Sequence, residues 1–288
     1  MNIREFKEYA RSRLKSSHER PELRFLVGAL LSHLANVPHY WYHTREDHVI
    51  SPDVEKALLQ AIDQAALGKP LQYILGYVSF GDCRIKVDRR VLIPRPETEE
   101  MWYKAKNIPG IVLDACTGSG CLAIALKKKR PGTPVFAFDI SQDALDLAIE
   151  NAALNEVEVS FFRADLLNLS RVEQAALSTG LHKHSIGLLV ANPPYVTEKE
   201  KKEMSTGVLS FEPHHALFVP DHNPLCYYRQ LAVLGRLYLK PQGRLLVEIN
   251  QAYGKEICSL MREEGYKDIR LHKDMNEKDR FIEAMWVR

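Results

Sequence analysis

Three observations predict an α/β protein with a mostly parallel, seven-stranded sheet covered on both faces and a small helical bundle ahead of it. Apolar strand-like runs alternate with helical stretches from Pro109 onward, a glycine-rich turn follows the first of those runs, and the first 68 residues carry only helical periodicity.

The bundle is read from three patterns. One runs from Ile3 to Leu14, and a second from Glu22 to Leu34 sets Leu23, Leu26, Leu30, Leu31 and Leu34 on one stripe. In the third, Ser51 is placed to cap, Pro52 takes the first helical position, Leu58, Leu59 and Ile62 form the apolar face, and Gly68 ends it. Arg4, Lys7, Arg11, Arg13, Lys15, Arg20 and Arg24 crowd the start; a solvated helix face explains them better than a docking surface for an acidic partner. Residues 1–75 are thus expected to form the bundle. Strand-like segments on either side of Gly81-Asp82 predict a β-hairpin linker over 76–96. Residues 97–288 then form the α/β domain, with strands at 111–114, 134–139, 158–163, 186–191 and 243–249, and two more near 267–272 and 280–287. Helices are expected at 120–129, 142–154, 225–238 and 253–264.

With 45% hydrophobic and 26% charged residues, the composition is that of an ordinary soluble protein. The formal net charge of +2 argues against a strongly basic nucleic-acid clamp. No apolar run is long enough to span a membrane, and the N-terminus is charged from Arg4 onward, so a cytoplasmic location without a membrane partner is expected, with a monomer as the default state. Five cysteines without a C-x-x-C pair suit neither a disulfide framework nor a zinc knuckle. His182, His184 and the His214-His215 pair lack cysteine or carboxylate partners at ligand spacing; they are read as solvated loop residues, and no metal is expected.

In "IVLDACTGSGCLAIAL", Asp114 ends a strand, Gly118 and Gly120 form a turn, and a helix follows. Glycine allows a ligand to approach the backbone where a Cβ would intrude. Asp139, at the next strand end, can hold ribose hydroxyls. The same spacing fits a dinucleotide fingerprint, so the turn alone leaves NAD and other adenosine cofactors both open. Asp165 closes the third strand and can accept from an adenine amino group, with Leu166 on the ring; a local loop or cap role is the plainer alternative.

The apolar run Leu188 to Ala191 ends in Asn192-Pro193-Pro194-Tyr195, at the strand edge where open α/β sheets bind ligands. Such a tetrapeptide arises by chance in only about a few chains per thousand of this length. Two prolines make a rigid turn. Beyond that, the Asn192 side-chain carbonyl and the Pro193 backbone carbonyl form a pair of acceptors that can grip both hydrogens of an amide or exocyclic amine. The lone pair of that nitrogen is delocalised, so holding it in line with an electrophilic methyl supplies most of the catalysis. Tyr195 is expected to wall the pocket and face a sulfonium cation. No general base is needed, because the alkylated nitrogen is acidic enough to lose its proton to water. An NAD enzyme wants a proton donor or acceptor here, and this strand end offers neither histidine nor carboxylate. Taken together, these residues point to S-adenosylmethionine and methyl transfer to nitrogen.

This combination resembles the class I S-adenosylmethionine-dependent methyltransferases, with a Rossmann-like sheet. The strings "KPLQYILG" (69–76), "VLIPRPETE" (91–99), "FEPHHAL" (211–217) and "VEIN" (247–250) resemble, over essentially the whole chain, the HemK/PrmC family of peptide chain release factor glutamine methyltransferases. The resemblance implies methylation of the side-chain amide nitrogen of the glutamine in the Gly-Gly-Gln loop of class I release factors, leaving S-adenosylhomocysteine, with the bundle docking the release factor. Residue by residue, it implies that Cys116, Thr117, Gly118, Ser119 and Gly120 line the cofactor, Asp139 binds ribose, and Asp165 and Leu166 meet adenine. Asn192, Pro193, Pro194 and Tyr195 hold glutamine, with Asn192 also touching the cofactor, and "IPRPETE" packs at the mouth. The chain departs from the family's usual glycine at Cys116, Asn250 and Glu277; the first touches the cofactor turn, the others packing more than chemistry. An adenine amino-group methyltransferase on DNA or RNA shares the tetrapeptide, but such enzymes usually carry a separate basic recognition region that this chain lacks. From other classes, an NAD oxidoreductase and a catalytically idle release-factor binding module are the competing readings.

Overall fold

A computed structural model describes residues 1–14 and 20–288. Contacts group them into Met1–Gly76 with Ser205–Phe211, and Tyr77–Met204 with Glu212–Arg288.

In the first unit, α1 (Ile3–Leu14), α2 (Arg20–Leu34) and α4 (Pro52–Ala66) are the three helices the apolar stripes predict; the short helix α3 (Trp41–Thr44) lies between α2 and α4, and α5 (Leu71–Leu75) follows α4. Phe6, Leu30, Leu31 and Leu58 are fully buried at their centre. Ser51 holds the N-cap position of α4, but its hydroxyl makes no capping bond; Pro52 alone primes the helix. Arg4 pairs with Glu46 and Asp47, Lys7 with Glu46, and Arg13 with Asp63, so much of the basic crowding is internally compensated. Lys15 lies outside the described residues. The short helix α10 (Thr206–Phe211), far along the chain, belongs to this unit.

The second unit begins with the hairpin β1 (Tyr77–Phe80) and β2 (Cys83–Lys86), turning at Gly81, and continues through α6 (Pro96–Ala105). Then come β3 (Ile111–Ala115), α7 (Cys121–Lys129), β4 (Val135–Asp139), α8 (Gln142–Leu154), β5 (Ser160–Arg163), α9 (Leu169–Ser178) and β6 (Ile186–Ala191). The short parallel pair β7 (Val196–Thr197) and β8 (Phe218–Val219) precedes α11 (Cys226–Tyr238), β9 (Leu239–Glu248), α12 (Gly254–Glu263), β10 (Lys267–Lys273) and β11 (Asp279–Met285).

The sheet runs β10-β11-β9-β6-β3-β4-β5; β9, β6, β3, β4 and β5 are parallel, and β11 is antiparallel to both neighbours. Every residue of β4 and β6 is buried, as expected of strands covered on both faces. Strand order reverses between β3 and β6, so the loops leaving their carboxyl ends diverge and open a crevice there. These loops carry the glycine turn and Asn192.

The hairpin packs on α7 and α8. Asn151, fully buried on α8, accepts from Lys86 N–H at 2.7 Å and donates to the Lys86 carbonyl at 3.1 Å and to the Ser119 carbonyl at 3.0 Å. One turn on, Asn155 repeats the exchange with the Arg84 backbone at 3.1 and 2.8 Å. Two side-chain amides thus stand in for the missing strand along the edge of β2, and Asn151 joins that edge to the glycine turn. Asn151→Ala leaves backbone groups of Lys86 and the buried Ser119 carbonyl without these partners and is expected to cost about 2–4 kcal/mol in urea unfolding; a loss under about 0.5 kcal/mol would show that the clamp carries little.

Candidate active site

The crevice is a cleft of about 880 Å³ lying wholly within the second unit. Of the residues singled out from the sequence, Cys116, Thr117, Gly118, Ser119, Asp139, Asp165, Leu166, Asn192 and Pro194 line it. Gly120, Pro193 and Tyr195 do not.

The glycines of the turn have different reasons. Gly118 has φ +53° and open space where a Cβ would stand, which leaves the turn clear for a ligand. Gly120 has φ +78°, and a Cβ there would lie 3.0 Å from Ala148 Cβ; it is needed for the approach of α7 to α8, a packing role rather than ligand clearance. Cys116 takes φ +60° without being glycine, as does Glu277 in the β10–β11 turn. A left-handed backbone at both explains why glycine suits these places.

Three acids meet at the turn. Asp139, nearly buried, accepts from Gly118 N–H at 2.9 Å and Ser141 N–H at 3.0 Å, and burial raises its pKa. Asp114 is also buried, and loss of solvation pushes it up to about 7. Its Oδ2 accepts from the Thr117 hydroxyl at 2.6 Å, while Oδ1 has no hydrogen-bond partner among the described residues. Asp165 uses one oxygen to close its own turn, accepting from Leu167 N–H at 2.9 Å, so the plainer loop role is real whatever else the acid does. Burial and the charges of Asp139, Asp114 and Asp165 push the Cys116 thiol well above its ordinary range, which leaves it a neutral thiol.

On the β6 side, Asn192 donates from Nδ2 to Thr98 Oγ1 at 3.0 Å, and no described residue donates to its Oδ1. Thr98, on the first turn of α6, in turn donates to Glu248 Oε2 at 2.8 Å. Tyr195 is absent from the residues lining the cleft: its partly buried ring packs against the core, and its hydroxyl donates to Glu248 Oε1 at 2.9 Å. Burial beside that carboxylate raises the phenol well above its usual range, so it stays a donor. Asn250 is more than packing. Its Nδ2 donates to the Tyr195 carbonyl at 3.2 Å and to Glu200, bracing the loop from below. At the mouth, buried Glu212 accepts from Ile93 N–H at 3.2 Å and from Arg95 at 2.7 Å, tying "IPRPETE" to the segment that carries His215.

The sequence reading overlooked Thr98, Asp114, Arg90, His215 and Tyr227, all of which line the cleft, and Glu248 behind it. A strand-end acid could have flagged Asp114 and Glu248; His215 is exposed, as a solvated residue is, and also borders the cleft. Thr98 carries no local signal.

Glu248 sits at the buried end of β9, where loss of solvation pushes its carboxyl up to about 7 from an ordinary 4.5, against the opposing pull of Thr98, Tyr195 and Arg280. Between those values the unfolded chain releases a proton that the folded protein keeps, so this group makes stability fall as pH rises from about 4.5 to 7. Glu248→Gln cannot ionise. Its stability relative to wild type is therefore expected to rise by about 3 kcal/mol across that window in urea unfolding, and a difference independent of pH contradicts the assignment.

Comparison with known proteins adds the family. The methyltransferase small domain matches residues 102–210 and the PrmC N-terminal domain residues 5–76. A release factor glutamine methyltransferase of Bacteroides thetaiotaomicron is 38% identical over 96% of this chain and 97% of its own length. Another from Flavobacterium psychrophilum is 40% identical over 83% of this chain and 86% of its own. A solved release-factor-specific protein-(glutamine-N5) methyltransferase from Alicyclobacillus acidocaldarius is 26% identical, covering 68% of this chain and 95% of that one at a TM-score of 0.40. With such identity over nearly the full length of both proteins, the chain belongs to the release factor glutamine methyltransferase family.

Proposed function

We propose that this protein methylates the side-chain amide nitrogen of the glutamine in the Gly-Gly-Gln loop of class I release factors, using S-adenosylmethionine. The observation that carries the reading is Asn192, whose amide is tied through Nδ2 and leaves Oδ1 as an acceptor at the carboxyl end of β6. A substrate amide brings two donors to this place, and Oδ1 can take one of them; in this reading the Pro193 carbonyl, outside the cleft lining in the ligand-free protein, takes the other. Held so, the nitrogen is turned away from conjugation with its carbonyl and becomes a better nucleophile. Its surplus proton leaves to water.

The cleft's chemistry suits a cationic adenosine cofactor. Three carboxylates around the glycine turn oppose the pyrophosphate of a dinucleotide and favour an ammonium and a sulfonium, and the unpaired Oδ1 of Asp114 is placed to accept from the ammonium. In this reading Cys116 to Gly120 flank the cofactor, Asp139 takes ribose, and Asp165 with Leu166 meets adenine. When bound, S-adenosylmethionine supplies an electrophilic methyl group. Residues 1–75 are taken as the docking unit for the release factor, 76–96 as the connecting hairpin and 97–288 as the catalytic domain, acting as a cytoplasmic monomer. Among the described residues no helix is long and apolar enough to cross a membrane.

Removing the acceptor tests the assignment. Asn192→Ala is expected to lower kcat/KM for release-factor methylation by about 100- to 1,000-fold, while calorimetric affinity for S-adenosylhomocysteine changes less than about fivefold. Near-normal transfer by this variant would remove Asn192 from the chemistry.

A further inference from the structure

We propose that Glu248 and Thr98 fix which way round the Asn192 amide sits, through a one-way chain of hydrogen bonds that reserves Oδ1 for the substrate. The inference deepens the glutamine reading and rests on it.

The supply of donors decides the orientation. An ionised carboxylate only accepts, and Glu248 accepts from the Thr98 hydroxyl at 2.8 Å and the Tyr195 hydroxyl at 2.9 Å, one on each oxygen. A threonine hydroxyl has a single hydrogen. Because Thr98 commits it to Glu248, only lone pairs remain for its other neighbour, and that neighbour, Asn192 at 3.0 Å, must turn its NH2 that way. The two ends of a carboxamide are nearly identical in shape, so packing alone does not choose between them. A flipped Asn192 would set its carbonyl against a Thr98 oxygen with no hydrogen to give. It would also set its NH2 against the NH2 of a glutamine. Glu248 thereby determines from two bonds away that the cleft presents an acceptor, and through Tyr195 it anchors the other end of the same four-residue loop. Glu248 lies buried behind the cleft and Thr98 acts through Asn192, so both are positioning residues.

The test is a double-mutant cycle in the full-length protein, read as single-turnover methylation of an unmodified class I release factor at pH 8, where Glu248 is ionised. Thr98→Val keeps the shape and deletes the hydroxyl. It is expected to slow transfer about 10- to 100-fold with Asn192 present, but less than about twofold when Asn192 is already alanine. Thr98→Ser restores the hydroxyl and is expected to recover most of the loss. Equal cost of Thr98→Val in both backgrounds, or no recovery with serine in a protein that still binds S-adenosylhomocysteine, overturns the proposal. Should Thr98→Val melt below the assay temperature, the same cycle with Glu248→Gln decides by the same criterion. Wild-type transfer without coupling overturns this inference alone, whereas no methylation by wild type overturns the glutamine reading along with it.

Discussion

A carboxylate withdrawn from water at the end of β9 sets the terms for everything around it. Glu248 is 1% exposed, and the cost of holding a charge there is only partly offset by the hydroxyls of Thr98 and Tyr195 and the favourable field of Arg280. Those partners arrive from α6 and from the loop after β6, so one ionisable group joins separate segments behind the cleft. Asn250, two residues further along, holds the Tyr195 carbonyl from the same side. The loop that carries Asn192 is therefore positioned by a network rather than by its prolines alone.

The opposite wall has its own support. Asp139 grips the Gly118 amide, Asp114 holds the Thr117 hydroxyl, and Asn151 ties the Ser119 carbonyl to the edge of the hairpin. Each device meets a backbone or hydroxyl group of the turn, and the space where a Gly118 Cβ would stand stays open. Packing a turn this tightly around acids has an electrostatic consequence: the cleft is a poor place for phosphates and a good one for cations. Support and selectivity thus come from the same residues.

Much of this was legible in the sequence. Period and composition located the strands and helices, and the glycine turn and Asn192-Pro193-Pro194-Tyr195 stood out because loops at strand ends obey short-range rules. What stayed hidden was pairing across distance. Thr98 lies 94 residues from Asn192 and 150 from Glu248, and nothing in a PETE string announces either partner. Asn151 and Asn155 read as ordinary polar positions on a helix, because their work is done on an edge strand that the chain laid down 65 to 71 residues earlier. The anchor of Tyr195 was hidden for a related reason: its motif reveals that an aromatic ring is present, while its hydroxyl meets a carboxylate 53 residues away. The grouping of Ser205–Phe211 with the helical unit is likewise a long-range fact.

The central claim is that the cleft holds a glutamine amide and delivers one methyl group to its nitrogen. Intact and peptide mass spectrometry of an unmodified class I release factor, incubated with this protein and S-adenosylmethionine, tests it most directly. A single added methyl on the glutamine of the Gly-Gly-Gln loop is the predicted result. A release factor that gains no methyl while the cofactor demonstrably binds, or one methylated at another residue, would contradict the account.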